Sequence, residues 1–300
     1  MVKLSIIIVS FNTKELLDQC LSSLFKNYGR DFRDQRFEVI VVDNASSDAS
    51  VQMVRKNFPR VKLIANKDNV GFARANNQAV KRTTGTFLLY LNPDTIVPQH
   101  TLKRMLNYME NNPRVGIATA KVILPTGEID DASHRGFPTP WRALTHFSGL
   151  GRLFPWTFTF NGYHLGFRNM TQIHEIDACV GAFLLLRKDV GTTVHFFDED
   201  YFWYGEDIDL CYRVKKLGFK VMYVPDVYIT HYKGVASGIK RQTQGITKAD
   251  KSTRMRATRA RFEVMRIFYR KHYLTLYPKW VTGLVFLGID WIERIISFKI

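Results

Sequence analysis

The chain has 300 residues, of which 46% are hydrophobic and 23% charged, a composition that excludes a disordered or fibrous protein. Lys and Arg outnumber Asp and Glu by 43 to 27, and the net charge of +16 predicts an anionic partner such as nucleic acid, an acidic membrane surface or a phosphorylated substrate. The three cysteines have no C-x-x-C spacing, which excludes a disulfide framework and a cysteine zinc site and favours a reduced intracellular compartment.

Strands and helices alternate over the first 120 residues. Short apolar runs, the first of them rich in β-branched residues, predict buried strands at 4–9, 37–42, 61–65 and 86–91. Apolar residues at helical spacing predict helices between these strands, over 16–24, 51–58 and 71–81. This order implies βαβ units, so we expect an α/β fold with a mostly parallel central sheet and helices on both of its faces.

The second half of the chain is less regular. Gly, Pro and aromatic residues are scattered through 121–175 without a period, which predicts loops and short antiparallel pieces. A strand is predicted over 176–186, a helix over 208–217, and a further strand over 220–224 that ends at Pro225. No targeting segment and no run of about 18 uncharged apolar residues is visible, so we expect a soluble or peripheral protein.

Polar side chains stand where the predicted strands end. In an open parallel sheet, ligands bind outside the carboxyl ends of the strands, so these residues are candidates for a nucleotide or donor site. They are Ser10, Asn12, Asp43, Asn44, Asn92 and Asp94. The alternative is that Asp43 and Asp94 only cap helices or form turns, as Asp often does.

Neither common phosphate-binding motif is present. No G-x-G-x-x-G follows the first strand, and the chain contains no G-x-x-x-x-G-K-[ST] loop. A bound nucleotide would need another source of positive charge for its phosphates. A hard divalent cation on carboxylate oxygen is the natural substitute, and Asp94 fits that role.

Seven short segments, spread along the chain, form a set of motifs. They are SIIIVSFN at 5–12, VVDNASSD at 41–48, NVGFARANN at 69–77, LNPDT at 91–95, GAFL at 181–184, GEDIDLC at 205–211 and THYKG at 230–234. Together and in this order they resemble the inverting glycosyltransferases of family 2, and the resemblance covers roughly residues 4–273. It implies a GT-A fold and transfer of a sugar from a nucleotide donor.

The resemblance also assigns the donor and cation site. Asp43 would recognise the pyrimidine base, and His231 would complete the metal or diphosphate site. Where the family usually has Asp-x-Asp, this chain has Asn92-Pro-Asp94, so one anionic ligand fewer is available. The implied cofactor is a divalent cation, and the imidazole of His231 suits Mn²⁺ better than Mg²⁺. The alternative for His231 is a structural histidine at a strand end.

The acidic cluster of 205–211 matches the family's catalytic motif. The resemblance implies that Asp207 is the general base that takes the proton from the acceptor hydroxyl, and that Glu206 and Asp209 orient this base or the donor. The alternative is a helix N-terminus that is acidic because the helix dipole favours negative charge there.

The segment 69–77 is similar to one that lines the donor pocket in these enzymes, through Gly71, Arg74 and Asn77. Gly71 would allow close backbone approach, and Arg74 could pair with phosphate. The alternative is that the segment is only the start of a helix.

The C-terminal part of the chain is strongly basic. Between Gly238 and His272 there are 11 Lys and Arg residues but only two acidic residues, and Trp280, Leu284 and Trp291 follow at helical spacing. An amphipathic basic segment of this kind can lie on an anionic membrane face. The alternatives are a solvated basic face with a helix packed on the body, and a homodimer contact. No nucleic-acid-binding motif accompanies the charge, so nucleic acid is not expected.

These observations predict a GT-A domain at 1–237 and a basic helical C-terminal extension at 238–300. We expect an inverting glycosyltransferase, similar to rhamnosyltransferases of cell-wall and surface polysaccharide assembly, with a UDP- or dTDP-linked donor and a glycan or lipid-linked acceptor. The expected location is the cytoplasm, peripheral at the inner face of the cell membrane. Two alternatives stay open: a nucleotide-sugar-binding protein that has lost catalysis, and a nucleic-acid-binding protein.

Overall fold

The computed structural model describes residues 1–232 and 251–297, and these contain nine strands joined in one sheet. The strands are β1 (Leu4–Ser10), β2 (Phe37–Asp43), β3 (Lys62–Ala65), β4 (Phe87–Leu91), β5 (Thr95–Ile96), β6 (Val115–Ile123), β7 (His174–Ile176), β8 (Phe183–Arg187) and β9 (Lys220–His231). Their order across the sheet is β3-β2-β1-β4-β8-β6-β9-β5, with β7 paired to β9.

The N-terminal half of the sheet is parallel, as its βαβ pattern predicted. β1 pairs in parallel with β2 and β4, and β2 with β3. The register places Ser10 beside Asp43, so both stand at the same carboxyl edge. In the other half β8 is antiparallel to its neighbours β4 and β6, whereas β6 and β9 are parallel. The whole is a mixed sheet of the expected α/β class.

Helices cover both faces of this sheet within the described residues. They are α1 (Lys14–Arg33), α2 (Ser50–Asn57), α3 (Phe72–Val80), α4 (Thr101–Asn111), α5 (Pro140–Phe147), α6 (Leu150–Leu153), α7 (Phe158–Asn161), α8 (Lys188–Thr193), α9 (Glu206–Lys216), α10 (Lys251–His272) and α11 (Lys279–Ser297). Helices α1, α2 and α4 bury their apolar residues against one face of the sheet, and α3, α8 and α9 bury theirs against the other. Successive strand residues such as Ile6 and Ile7 enter opposite layers, as the period of two requires.

Three predictions for the second half of the chain are corrected. The segment 121–175 has the expected loops and short antiparallel pieces, such as the Ile123–Ile129 bridge and β7, but it also contains three short helices, α5, α6 and α7. The strand expected over 176–186 is two strands, β7 and β8, separated by a loop at 177–182. The strand expected to end at Pro225 continues to His231, because a shift in the β6–β9 register lets the chain bulge out at this proline, which cannot donate to the ladder.

The C-terminal helices pack against the main domain. Phe268 and Tyr269 of α10, with Tyr273 just after it, form a buried cluster against Tyr212 of α9, and Phe286 of α11 packs against this cluster. The predicted helical extension is therefore observed, whereas the predicted boundary at 237/238 lies outside the described residues, as do residues 238–250. Over residues 1–232 and 251–297, every helix is too short or too polar to cross a bilayer.

Candidate functional site

The first corner of the site is the edge where β1 and β2 end. Asp43 is buried, and its carboxylate accepts hydrogen bonds from the backbone N–H of Ser46 at 3.0 and 3.3 Å. Asn12, which has a φ of 53°, accepts from the N–H of Ser47 at 2.8 Å. The hydroxyls of Ser10 and Thr13 lie 3.0 Å apart just beneath. The bond between Asn12 and Ser47 joins the loop after β1 to the loop after β2.

Asn44 connects these two loops to the segment just before α3. Its side-chain oxygen accepts from the N–H of Val70 at 3.1 Å, and its amide donates to Asn69 at 2.8 Å. These bonds shape the turn at Gly71, which has a φ of +86°. A Cβ at Gly71 would lie 2.8 Å from the Phe202 ring and 2.9 Å from its carbonyl oxygen. Glycine is therefore required here both for the backbone conformation and for the close approach.

Arg74 and Asn77 make protein contacts at the rim of this corner. The guanidinium of Arg74 pairs with Glu199 at 3.0 Å, and more than half of its side chain is exposed. The amide of Asn77 donates to the carbonyl of Phe197 at 2.8 Å and to Glu199 at 3.1 Å. Both side chains hold the 197–199 segment against α3, a role that the sequence pattern did not indicate.

The second corner lies after β4, where β5 pairs with the end of β9. Asp94 Oδ1 lies 3.2 Å from Nε2 of His231, and the amide of Asn92 lies 3.4 Å from the same nitrogen. On the other side of the ring, Nδ1 of His231 lies 3.3 Å from the carboxylate of Asp130. Burial alone would lower the pKa of His231, but the Asp94 and Asp130 carboxylates outweigh it and raise this pKa to about 9.

The residues of this corner fit a cation that is shared with a phosphate-bearing substrate. In the described part of the chain, no group of three His, Cys, Asp or Glu side chains is placed to hold a metal ion by itself. Asp94 could supply a carboxylate ligand, and His231 an imidazole ligand once a bound cation displaces its Nε2 proton. Substrate phosphates and water commonly supply the rest for Mg²⁺-type sites. Asp130 stands behind the histidine as carboxylates usually do at metal-ligating histidines.

The third corner is the N-terminus of α9. Asp207 is buried, and its carboxylate pairs with Arg135 at 3.1 Å. It also accepts from the backbone N–H groups of Ile208 at 2.8 Å and Gly181 at 3.3 Å. The carboxylate is thus held in one orientation by an ion pair and two backbone donors.

Glu206 lies beside Asp207 in a different environment. It is buried, and no donor among the described residues reaches its Oε2. Burial, and then the charge of Asp207, raises the pKa of Glu206 to about 8. Glu206 therefore keeps its proton at neutral pH, whereas the carboxylate of Asp207 has the Arg135 guanidinium beside it.

Asp209 points to a different set of partners. Its carboxylate pairs with Arg213 at 2.6 Å, with His272 of α10 at 2.6 Å and with the Tyr201 hydroxyl at 3.4 Å. It is fully buried. The structure thus places Asp209 at the junction between α9 and the C-terminal helices.

The loop before β8 brings the second and third corners together. Gly181 donates its N–H to Asp207, and its neighbour Ala182 accepts at 3.3 Å from the N–H of Asn92. The first corner joins the same assembly, because the N–H of Phe72, next to Gly71, donates to the carbonyl of Phe202 at 3.0 Å, just before α9. Residues distant in the chain therefore meet at one edge of the sheet.

Two residues of this site escaped the sequence analysis. Asp130 and Arg135 lie in the segment 121–175, where no periodicity indicated their placement. A buried bridge between Arg135 and Ala178 holds this segment against the loop before β8. The acidic pair at 130–131, followed closely by Arg135, was the available signal, but a charged stretch of this kind is most often a solvated turn.

The family model described as Glycosyl transferase family 2 matches residues 5–191 of this chain. Two relatives cover most of its length. The chain is 28% identical to the rhamnosyltransferase WbbL of Escherichia coli (strain K12) over 235 residues, which cover 76% of this chain and 82% of the relative. It is 25% identical to the N-acetylglucosaminyl-diphospho-decaprenol L-rhamnosyltransferase of Mycobacterium tuberculosis (strain ATCC 25618 / H37Rv) over 249 residues, 78% of each.

Among solved structures, the fold is similar to that of the mannosyltransferase PcManGT from Pyrobaculum calidifontis in complex with GDP-Man and Mn²⁺. The TM-score is 0.58 at 17% identity, over 89% of this chain and 64% of that one, so this chain spans less than two thirds of it. The likeness concerns the fold alone, and it confirms the predicted GT-A architecture.

Proposed function

The chain belongs to glycosyl transferase family 2, and we propose that this glycosyltransferase moves L-rhamnose from a dTDP- or UDP-linked donor to a hydroxyl group of a lipid-linked glycan. The sugar is inferred from the two rhamnosyltransferase relatives, and the lipid-linked acceptor from the one whose name specifies N-acetylglucosaminyl-diphospho-decaprenol. A single observation carries the proposal: the adjacent residues Gly181 and Ala182 bond to Asp207 on one side and to Asn92 on the other. This contact supports a base at Asp207 beside the second corner, at Asp94 and His231, which we propose receives the donor phosphates and call the phosphate corner.

The proposed reaction is a single displacement. Asp207 accepts the proton of the acceptor hydroxyl while the oxygen forms a bond to the anomeric carbon of the donor sugar. The bond from that carbon to the diphosphate breaks on the opposite face, and its electron pair stays on the departing nucleoside diphosphate. The sugar therefore passes through an oxocarbenium-like transition state and inverts its configuration, as in inverting glycoside hydrolysis.

The remaining corners bind and orient the donor. We propose that Asp43, with Ser10, Asn12 and Asn44 around it, receives the nucleoside. Asp94 and His231 would hold a divalent cation, Mn²⁺ or Mg²⁺, which would supply Lewis-acid stabilisation of the leaving diphosphate. The ion pair of Arg74 with Glu199 lies at the exposed rim, where an incoming phosphate could compete for the guanidinium.

We also propose that α11 rests on an anionic membrane surface, from which a lipid-linked acceptor would be presented. Trp280, Leu284, Leu287 and Trp291 recur at helical spacing on this helix and are each 61–69% exposed. The opposite side of α11 is occupied, because Asp290 and Glu293 pair with Arg266 of α10 at 2.6 and 2.5 Å. A helix with tryptophans and leucines on its free side and basic residues nearby suits the membrane interface.

Replacing Asp207 with Asn tests the assignment of the base. The amide cannot accept the acceptor's proton, so we expect transfer to fall by about 10²–10⁴-fold. Donor binding, measured by titration calorimetry, should stay within about threefold of the wild type. Asp177→Asn is the matched control, because Asp177 is also paired with an arginine, Arg142, at 2.7 Å but lies outside the three corners. Equal losses of transfer and donor affinity in Asp207→Asn would contradict the assignment.

The second candidate function is a nucleotide-sugar-binding protein without turnover, and Asn92, which replaces a carboxylate ligand, favours it. The two are separated by measuring transfer of labelled rhamnose to a polyprenyl-diphosphate-linked glycan with added Mn²⁺ and with EDTA. Thermal shifts with dTDP, UDP and GDP then identify the nucleotide, because a ligand that binds the folded state raises its stability. Nucleotide-dependent stabilisation without any transfer would support the binding protein.

A further inference from the structure

A short, partly buried loop contacts both the second and the third corner of the site. Residues 130–135 include a 3-10 helix (Asp131–Ser133), and Asp130 and Ser133 are fully buried. The loop is anchored at both ends, since the N–H of Asp130 donates to Val122 of β6 at 2.9 Å and the N–H of Arg135 to Ala178 at 2.8 Å. These anchors leave the two charged side chains at its ends little freedom to move.

The side chain at the start of the loop reaches the phosphate corner. Asp130 Oδ2 lies 3.3 Å from Nδ1 of His231, and its Oδ1 accepts from the N–H of Ala132 at 3.0 Å. When a bound cation takes the place of the Nε2 proton, a carboxylate in this place keeps the remaining ring proton on Nδ1, so Nε2 is the nitrogen left for the cation. Asp130 therefore determines which nitrogen of His231 is available to a ligand.

The side chain at the end of the loop reaches the third corner, at Asp207. Arg135 donates to Asp207 at 3.1 Å, and the two side chains are only 15% and 8% exposed. A guanidinium presents fixed donors, so it holds the carboxylate in direction as well as in charge. Arg135 therefore determines where the lone pairs of Asp207 point.

We propose that the 130–135 loop is a positioning element that sets the base and the cation ligand relative to each other, with Asp130 and Arg135 as its two positioning residues. The inference rests on the proposed function, since it names what holds that site's groups in place. The loop before β8 links the same two corners through backbone atoms, so the site is bridged twice. A displacement of about 1 Å at either end would cost about 10²-fold in rate.

The Asp130 end is tested by the binding of Mn²⁺, which needs no turnover. The free ion is measured by electron paramagnetic resonance in the presence of dTDP or UDP, for Asp130→Asn and for Asp131→Asn, its exposed neighbour on the same loop. We expect the first variant to bind Mn²⁺ about 10–100-fold more weakly and the second to match the wild type. Asp130→Glu, which keeps the charge but displaces the carboxylate, should also weaken binding. Wild-type Mn²⁺ affinity in both Asp130 variants would overturn this half of the proposal.

The Arg135 end is tested by separating kcat from donor binding. We expect Arg135→Gln to lower kcat about 100-fold with an unchanged Kd for the donor nucleotide, and Arg135→Lys to recover part of the loss. Arg142→Gln is the matched control, because it breaks a comparably buried ion pair with Asp177. Loss of nucleotide binding in Arg135→Gln, or the same fall in kcat in Arg142→Gln, would show a general folding effect and overturn the proposal.

The two proposals fail in different ways. A wild-type chain that transfers no sugar to any acceptor would refute the proposed function. An active wild type whose Asp130 and Arg135 variants are indistinguishable from it would leave the function standing and refute the positioning role of the loop.

Discussion

Glu206 provides a stability prediction that can be worked out from its surroundings. Its buried carboxyl group has an oxygen without a donor among the described residues, and its pKa rises from 4.5 to about 8. At about 1.4 kcal/mol for each unit of pKa difference, ionising this group in the folded chain costs up to about 5 kcal/mol more than in the unfolded chain. This cost lowers the free energy of unfolding, because a pKa that differs between the folded and unfolded chain makes stability depend on pH.

The direction of the pH dependence follows from proton counting. Between pH 4.5 and about pH 8 the folded chain keeps a proton on Glu206 that the unfolded chain has lost, so the free energy of unfolding falls as the pH rises through this window. Above pH 8 both states are ionised and the term is constant. Glu206→Gln removes the ionisation and with it the dependence. We therefore expect the variant to gain stability over the wild type by about 1.4 kcal/mol per pH unit between pH 5 and pH 8.

The assay is urea denaturation of both proteins at several pH values from 5 to 9, followed by tryptophan fluorescence. Titrations of groups that do not interact with Glu206 cancel in the difference between variant and wild type. Glu110→Gln is the control, since Glu110 lies on the surface and pairs with Lys3 at 2.6 Å. A Glu206→Gln difference that is as flat with pH as the Glu110→Gln difference would refute the reasoning.

Two further predictions concern the turn at Gly71, beside the first corner of the site, and the exposed face of α11. Gly71→Ala should lower stability by about 2–3 kcal/mol and weaken nucleotide binding, because it adds backbone strain at positive φ and a clash with Phe202. Gly218→Ala is the control, because Gly218 has a φ of +85° with open space around it and should show the backbone strain alone. Thermal melts compare the two variants. Trp280→Ser combined with Trp291→Ser should reduce co-sedimentation with anionic liposomes at least tenfold and leave transfer to a water-soluble acceptor unchanged. Undiminished co-sedimentation of the double variant would contradict the proposed membrane contact.

The sequence predicted the parts of the fold in which local pattern and burial agree. The strands β1, β2 and β4 are short apolar runs that end at or just before polar residues, and the structure has them within a residue or so of the predicted bounds. The run 176–186 failed because it is apolar almost throughout, so periodicity could not show where it breaks. The break is made by tertiary contacts: Asp177 pairs with Arg142 and Lys215, and Gly181 turns its N–H to Asp207.

Strand ends predicted where the candidate site would lie, but not what each side chain would contact. Asn44 was placed correctly at the end of β2, yet its bonds to Val70 and Asn69 depend on how α3 docks against the sheet. Arg74 was expected to be available for a phosphate, and its pairing with Glu199 joins residues 125 apart in the chain. Contacts of this range are set by topology, which no local pattern encodes.

The acidic cluster at the start of α9 shows why residue type and spacing do not assign roles. Glu206, Asp207 and Asp209 share one helix N-terminus, where the helix dipole favours negative charge on all three. Their partners then separate them: a buried oxygen without a donor, an ion pair with Arg135, and bonds to Arg213 and His272. Only Asp207 combines a defined orientation with contact to the loop that reaches the phosphate corner. It is this combination, rather than the shared motif, that makes it the base of the proposed reaction.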